Sequence, residues 1–235
     1  MRHGTIQSRA AQPAEGAFGG GAARQPPHQP GRRTGLRFVP GSNLSAIDPI
    51  FSLTIPTLTH AYLVYDQLFG LDGDLMPRPQ MVGAYEISDD RQRWRFILRE
   101  KLLFHDGTPV RAADCLASIR RWAKRDLFGT RLAAQTEEMR AIDDHSFEIR
   151  LEKPFPHMLY AFGATTCFIV PERIAATDAF TAFTDPTGSG PFRFVKDELV
   201  AGSRAIYAKH EGYVPRQEPA AVWSGGKNAY FDRIE

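Results

Sequence analysis

Cysteine is scarce in this chain, with two residues among 235, and neither belongs to a C-x-x-C pair. The seven histidines are never spaced three or four residues apart. These absences exclude the usual ligand patterns of a metal site, and no cofactor is indicated. Cys115 falls at a core-facing helix position and Cys167 in an apolar stretch. We therefore expect two buried free thiols rather than a disulfide.

Long apolar runs are also missing. No segment approaches the roughly 20 apolar residues that a membrane-spanning helix needs. The first residues show no apolar core of a secretory signal peptide, because the longest apolar run before Leu36 is two residues. As the sequence is written, we expect the chain to stay in the cytoplasm.

Net charge is small, at +2, and it is unevenly distributed. Residues 1–35 hold five Arg and one Glu, so the remainder carries a net charge of −2 and offers no basic surface for nucleic acid. The same 35 residues contain seven Gly, four Pro and a single aromatic residue, Phe18. This composition predicts a disordered extension, with an arm for anionic membranes as the alternative.

The clearest secondary-structure pattern begins at Trp94. Trp94, Phe96 and Leu98 alternate with arginines, as in a strand with one buried face. An HDGTP turn follows at 105–109, and helical spacing extends over 112–124. On this helix an apolar stripe faces the core, while the side chains expected in solvent are Arg120, Arg121, Lys124 and Arg125.

Short strands and helices alternate along the rest of the chain, which indicates an α/β or mixed α+β fold. The patterns predict a short buried strand at 36–39 and further strands at 192–195, 204–207 and 230–234. They also predict hairpins over 81–98 and 139–151, and helices over 57–68, over 154–162 and after Pro171.

Two short motifs could suggest chemistry. His105-Asp106 lacks a neighbouring nucleophile or a third ligand, so we interpret it as part of a turn in which Gly107 is left-handed. The Gly188-Ser189-Gly190 segment is followed by proline and a strand pattern instead of the lysine and helix of a phosphate loop. We expect a close backbone crossing there. No catalytic residues are predicted, and the chain is not expected to be an enzyme.

Several segments resemble, in order, the family 5 extracytoplasmic solute-binding proteins of ABC importers, which capture peptides, nickel or opines. The strand, turn and helix over 94–114 are the family signature. The resemblance extends over nearly all of 36–235 through 47–49, 65–69, 77–79, 88–90, 118–122, 171–173, 188–192, 213–216, 225–227 and 232–235.

The resemblance implies a partial periplasmic-binding-protein-like fold. After the disordered extension 1–35, residues 36–53 and 184–235 are expected to form part of lobe I, and 54–183 an inserted subdomain that carries the signature. Family members are about twice as long, so lobe II is expected to be absent from this chain.

By the same resemblance, the protein is expected to bind a small solute, most simply an oligopeptide, and to deliver it to ABC permease subunits in the periplasm. The residues expected to line the cleft are Ser45, Phe51, Thr165, Thr166 and Cys167. They would supply backbone donors, hydroxyls and an apolar wall. The alternative is a truncated or degenerate receptor fragment with no binding activity of its own.

Overall fold

The computed structural model describes residues 35–164 and 166–235, and nearly all of the extension expected over 1–35 lies outside them. The helices are α1 Ile55–Val64, α2 Ala112–Trp122, α3 Leu127–Ala133, α4 Met158–Ala164 and α5 Glu172–Ala175. The strands are β1 Gly35–Leu36, β2 Asp66–Gln67, β3 Phe69–Leu71, β4 Pro77–Pro79, β5 Val82–Ile87, β6 Arg93–Leu98, β7 Thr136–Ala141, β8 Ser146–Leu151, β9 Phe168–Ile169, β10 Phe192–Phe194, β11 Tyr207–Lys209 and β12 Arg233–Ile234. The mixed α/β class is thus confirmed.

The first sheet is antiparallel, in the order β5-β6-β8-β7, and it contains both predicted hairpins. Its buried face carries Phe96 opposite Phe147, with ring centroids 5.1 Å apart. Helix α2 shares this core through Cys115, Ile119 and Trp122. The period of two in the strands and the helical stripe thus meet in one apolar cluster, which also holds the free thiol of Cys167.

The second sheet has the order β1-β12-β11-β10, and β1 is parallel to β12. Helix α1 packs on it through Ala61 and Val64, and β9 and α5 join the same cluster. The division into 36–53 with 184–235 and an inserted 54–183 stays a prediction. α1 belongs to the proposed insertion by sequence and to the second sheet by packing.

The crossing between the two clusters is as close as the glycine pattern predicts. A Cβ on Gly188 would lie 2.0 Å from the carbonyl oxygen of Val64, and one on Gly190 would lie 2.7 Å from that of Leu63. The HDGTP turn is also confirmed. Gly107 has φ +83°, and the Asp106 carboxylate accepts from the Thr108 N–H at 3.0 Å.

Three predicted boundaries were wrong for identifiable reasons. Helix α1 ends at Val64, not 68, because Asp66 and Gln67 pair with β9. Helix α4 starts at Met158 instead of 154, since prolines at 154 and 156 restrict the preceding residues. The strand expected over 204–207 begins at Tyr207, because a turn with Gly202 at φ +75° closes between Val200 and Arg204.

The strand expected to be buried over 36–39 is also a correction. β1 stops at Leu36, and Phe38 and Val39 are 53% and 84% exposed. β1 is an edge strand of the second sheet, next to β12. Apolar residues at such an edge are buried only where another segment covers them, and Phe38 and Val39 are exposed. Within the described ranges, no helix is long and apolar enough to cross a membrane.

Arg111 precedes α2 and provides a test of helix capping. Its backbone N–H donates to the Asp114 carboxylate at 2.8 Å, but its own side chain has only donors to offer the first turn. Arg111→Thr should raise the free energy of unfolding by about 1 kcal/mol, because threonine can accept from an orphan N–H. Thermal unfolding measures the change. Arg111→Ala, which removes the weak ion pair with Asp144 without adding a cap, is the matched control. A threonine variant no more stable than the alanine variant would contradict the expectation.

Candidate functional site

A groove of about 450 Å³ lies beside the parallel pair β1 and β12. In open, mainly parallel sheets, ligands bind in the crevice beyond the carboxyl ends of the strands, and the pair β1 and β12 offers this position although the other pairings of its sheet are antiparallel. The segment that follows β1 and the residue that follows β12 both line this groove. Its lining is mainly apolar and is contributed by Arg37, Phe38, Val39, Pro40, Asn43, Leu44, Pro56, Thr59, Leu63, Leu199, Val200, Gly202, Ser203, Arg204, Ala205, Tyr207, Ile234 and Glu235.

Few charges face the groove. The Arg37 guanidinium lies 3.4 Å from the Glu235 carboxylate, and both side chains are well exposed to solvent. An exposed pair of this kind contributes little to stability. Because both side chains are exposed, their charges remain accessible from solvent. The same surface also carries apolar groups, because the side chains of Phe38 and Val39 are exposed there. The groove can therefore hold an apolar segment and still present a few charged groups to it.

The loop that follows β1 is shaped by Asp48. Its carbonyl oxygen accepts from the N–H groups of Phe51 and Ser52 at 3.2 and 3.0 Å, and its carboxylate accepts from Ile50 N–H at 3.0 Å. These bonds close a tight turn around a single aspartate. The turn fixes the position of Phe51, a candidate for the cleft wall.

Asp48 is also half of a buried ion pair. Its carboxylate oxygens lie 3.2 and 2.7 Å from two guanidinium nitrogens of Arg121, and the side chains are 0% and 2% exposed. The prediction that Arg121 faces solvent was therefore wrong. The apolar stripe of α2 is wider than the sequence suggested, and Arg121 lies at its edge, directed into the protein.

The rest of the Arg121 guanidinium holds a second loop. It donates to the carbonyl oxygens of Thr177, Asp178 and Thr181 at 2.9, 3.3 and 3.0 Å. The second Asp48 oxygen also accepts from the N–H of Phe183 at 3.2 Å. One ion pair thus connects the loop after β1, the end of α2 and the loop over 177–183.

Two of the sequence-predicted site residues lie on this connected surface. Ser45 is exposed in the loop after β1. Phe51 is 44% exposed, and the Arg125 guanidinium lies 6.0 Å from its ring centroid. Arg125 also lies 5.0 Å from the ring of Phe180, so one cation bridges the two loops that Arg121 holds from inside.

The other three predicted site residues lie on a different segment, between α4 and β9. Thr165 lies outside the described residues. Thr166 is half-buried, and its carbonyl oxygen accepts from Phe168 N–H at 2.8 Å. Cys167 is fully buried in the first core, and burial raises the pKa of its thiol. As a cleft-lining residue Cys167 is therefore a correction, because its side chain packs against the sheet instead of facing solvent.

Sequence reasoning missed a second polar centre at Asp66. This fully buried carboxylate accepts from the Lys227 ammonium at 2.8 Å and from the Tyr213 hydroxyl at 3.0 Å. Burial, and then the Asp66 charge, raise the pKa of Tyr213. Arg216 donates to the carbonyl oxygens of Gln80 and Val82. The loop over 213–227 is thereby attached to residues 66–82. The spacing along the chain gave no signal for these contacts, which join residues more than 130 positions apart.

Neither polar centre is arranged for catalysis or metal binding. Among the described residues, no group of three or more His, Cys, Asp and Glu side chains is placed to hold a metal ion. The Asp48 and Asp66 carboxylates are each engaged by cations and hydrogen-bond donors. Their geometry is suited to fixing the positions of the loops that they join.

Comparison with known proteins shows which family and which solved structures this chain is similar to. Residues 76–235 match the family model described as bacterial extracellular solute-binding proteins, family 5 Middle. The chain is 41% identical over 192 residues to the "Probable peptide ABC transporter periplasmic-binding protein y4tO" of Sinorhizobium fredii, a match that covers 82% of this chain and 36% of that protein. It is 27% identical to the glutathione-binding protein GsiB of Salmonella typhi, over 69% of this chain and 34% of GsiB.

Solved structures share the fold. NikA from Brucella suis, in complex with Fe(III)-EDTA, superposes with a TM-score of 0.69 at 20% identity, covering 85% of this chain and 38% of NikA. OppA from Haemophilus influenzae, in complex with the peptide RPPGFSPFR, gives 0.64 at 18% identity, over 79% of this chain and 40% of OppA. The chain thus spans little more than a third of the length of the relatives it matches, and its fold is a partial periplasmic-binding fold.

Removing the guanidinium of Arg121 tests the buried ion pair. Arg121→Ala should lower the free energy of unfolding by about 3–5 kcal/mol, because it leaves the Asp48 carboxylate buried without a cation. Urea denaturation measures the loss. Arg120→Ala is the control, since the neighbouring Arg120 is exposed and donates to the Met139 carbonyl; its loss should stay below about 1 kcal/mol. Equal losses in the two variants would show that the Asp48–Arg121 pair does not make this contribution to stability.

Proposed function

This chain belongs to family 5 of the bacterial extracellular solute-binding proteins, and we propose that it forms one wall of a receptor that captures an oligopeptide for an ABC importer. The carrying observation is the match to a relative named as a peptide-transporter binding protein, at 41% identity over 82% of the chain. The proposed role is binding and delivery, with no chemical step.

The structure supports the role through the position of its open surface. The groove and the loop after β1 lie at the carboxyl ends of a parallel strand pair, the position at which ligands bind in mainly parallel sheets. A single wall encloses a solute on one side only. Since this chain spans 36% of the relative's length, the opposite wall belongs to the remaining part of a complete receptor. Closure of the two walls about a hinge then removes the solute from water.

The proposed wall uses neutral groups. Ser45 and Thr165 supply hydroxyls, Thr166 supplies a backbone and a hydroxyl, and Phe51 supplies an apolar ring. A peptide backbone presents one N–H and one C=O per residue, which such groups can satisfy in any sequence context. The Asp48–Arg121 pair holds Phe51 from behind, so the ring is positioned before the ligand arrives.

The proposed setting is extracytoplasmic, and the proposed partners are the permease subunits of an ABC importer. Support comes from the family description and from the relative in Sinorhizobium fredii, which is named as a periplasmic-binding protein. Closure would present the closed receptor to the permease as one surface.

A chimera tests the proposal. The 192-residue region of this chain that matches the Sinorhizobium fredii relative replaces the corresponding region of that relative, and both receptors are screened by thermal shift against peptides of two to nine residues. We expect the chimera to be stabilised by peptides that stabilise the parent, because the substituted region shares 41% identity with it. A folded chimera that no peptide stabilises, beside a parent that responds, would support instead a fragment without binding activity.

The proposed wall residues are tested in the same chimera. Phe51→Ala should weaken peptide binding by about tenfold, since an aromatic contact in a cleft is worth about 1–2 kcal/mol. Ser45→Ala should weaken binding by a few fold through loss of one hydrogen bond. Leu75→Ala and Ser42→Ala are matched controls, because both residues are exposed and neither is assigned to the wall. Isothermal titration measures the affinities. Equal effects in the control variants would remove Phe51 and Ser45 from the site.

A further inference from the structure

Two histidines from distant parts of the sequence meet on one carbonyl group. His105 Nε2 lies 3.0 Å and His210 Nδ1 3.3 Å from the carbonyl oxygen of Gly190. The two rings are edge to face, with centroids 4.8 Å apart. Neither contact is required by the turn role that the sequence predicts for His105, nor by the proposed binding wall.

The hydrogen bonds define the protonation state of His105. Its Nδ1 accepts from the N–H of Gly188 at 3.3 Å, so that nitrogen carries no proton. Its Nε2 faces a carbonyl oxygen, so that nitrogen must donate. The arrangement therefore requires the neutral ring with its proton on Nε2. A second proton on Nδ1 would direct one N–H group at another.

The segment that His105 holds is the crossing between the two cores. The backbone N–H of His105 donates to the Gly188 carbonyl at 2.8 Å, and Gly190 N–H donates to the Val64 carbonyl at 2.9 Å. Residues 188–190 are thus held on one side by the HDGTP turn and on the other by the end of α1. The HDGTP turn follows β6 of the first sheet, and β10 of the second sheet begins directly after this segment.

Charged groups around the pair act in both directions. Asp106, beside His105 in the turn, favours a proton on His105, whereas His210, which follows β11, and Arg193 on β10 oppose it. Glu211 favours a proton on His210. On α1, His60 is buried and lies close enough to feel a charge on His105. Burial dominates, and it lowers the pKa of His105 to about 4.

We propose that His105 is a proton-operated latch that holds residues 188–190 when neutral and releases them when its Nδ1 takes up a proton. Release of residues 188–190 would detach the crossing between the two sheets. Acid would therefore weaken the connection between the sheets before it unfolds either core. The inference does not depend on which ligand the receptor binds.

The direction of the pH effect follows from proton binding. The pKa of His105 is about 4 while the latch is closed and about 6.5 in an opened, solvated chain. Between these values the open form binds more protons, so lowering the pH favours it. From pH 7 to pH 5, the opening equilibrium of this segment should increase on the order of 20-fold.

Amide hydrogen exchange of this chain measures the opening. The reporters are the N–H groups of His105, Gly188 and Gly190, corrected for intrinsic exchange, with the Phe96 amide of the first sheet as the internal reference for global unfolding. We expect the reporters to lose protection on the order of 20-fold between pH 7 and pH 5, and to be less protected than the reference at both pH values, because global unfolding also exposes His105 and shares its pH response. Reporters whose protection is constant over this range would overturn the proposal.

Variants separate the latch from general acid sensitivity. His105→Asn keeps an acceptor near Gly188 N–H, His105→Gln keeps a donor toward the Gly190 carbonyl, and neither side chain titrates. Both should open more readily at pH 7 but change less than about twofold down to pH 5. His145→Asn, at an exposed histidine, should behave as the unmodified chain. Variants that retain the full pH response would contradict the assignment to His105.

A measurement on the unmodified chain covers the case in which the His105 variants do not fold. Nitrogen-15 NMR of labelled histidine should show His105 neutral at pH 7 and protonated on Nε2 alone. A charged ring at pH 7, or a neutral ring protonated on Nδ1, would overturn the proposal whatever the variants do.

Discussion

The proposed binding surface of this chain depends on one buried ion pair, Asp48–Arg121. Desolvating both charges is costly, and the cost is offset only because both carboxylate oxygens and all three guanidinium nitrogens have partners. The pair sits where three chain segments meet, so its hydrogen bonds determine where each loop backbone lies. A well-packed apolar substitute could match its stability but could not accept from one loop and donate to the other. We infer that position, more than stability, is what the pair contributes.

The second polar centre, at Asp66, does the same for the other side of the molecule. Lys227 and Tyr213 bring the loop over 213–227 against residues that precede the first sheet. The two sheets are therefore joined by polar contacts at their margins and by a glycine crossing at 188–190. The apolar cores lie on either side of these joints. These joints hold the two sheets in one arrangement, as a wall that moves as a single body in the proposed hinged receptor requires.

Local patterns in the sequence predicted the elements whose stability is local. The alternation around Trp94 and Phe147, the HDGTP turn and the α2 stripe all follow from periodicity or from a glycine conformation, and all were confirmed. Contacts between distant segments carried no such signal. Arg121 reads as one more exposed arginine until Asp48, 73 positions away, is brought beside it. The prediction that residues 36–39 form a buried strand was wrong for the same reason, because the exposure of a strand depends on which other segments cover it.

The candidate site residues were predicted from the family resemblance and not from residue chemistry. The structure places them in different environments. Ser45 and Phe51 are on an exposed, internally fixed loop, whereas the Cys167 side chain is in the core. Cys167 directly precedes β9, which pairs with β2, and the β9 residues Phe168 and Ile169 are buried as well.

Equilibrium binding to the isolated 235-residue chain tests the central claim most directly. Labelled peptides that stabilise the chimeric receptor are titrated with the chain alone, followed by fluorescence anisotropy, with the chimera as the positive control. A single wall leaves a bound peptide half in water, so we expect no saturable binding at concentrations that saturate the chimera. Saturable binding of comparable affinity by the chain alone would contradict the account.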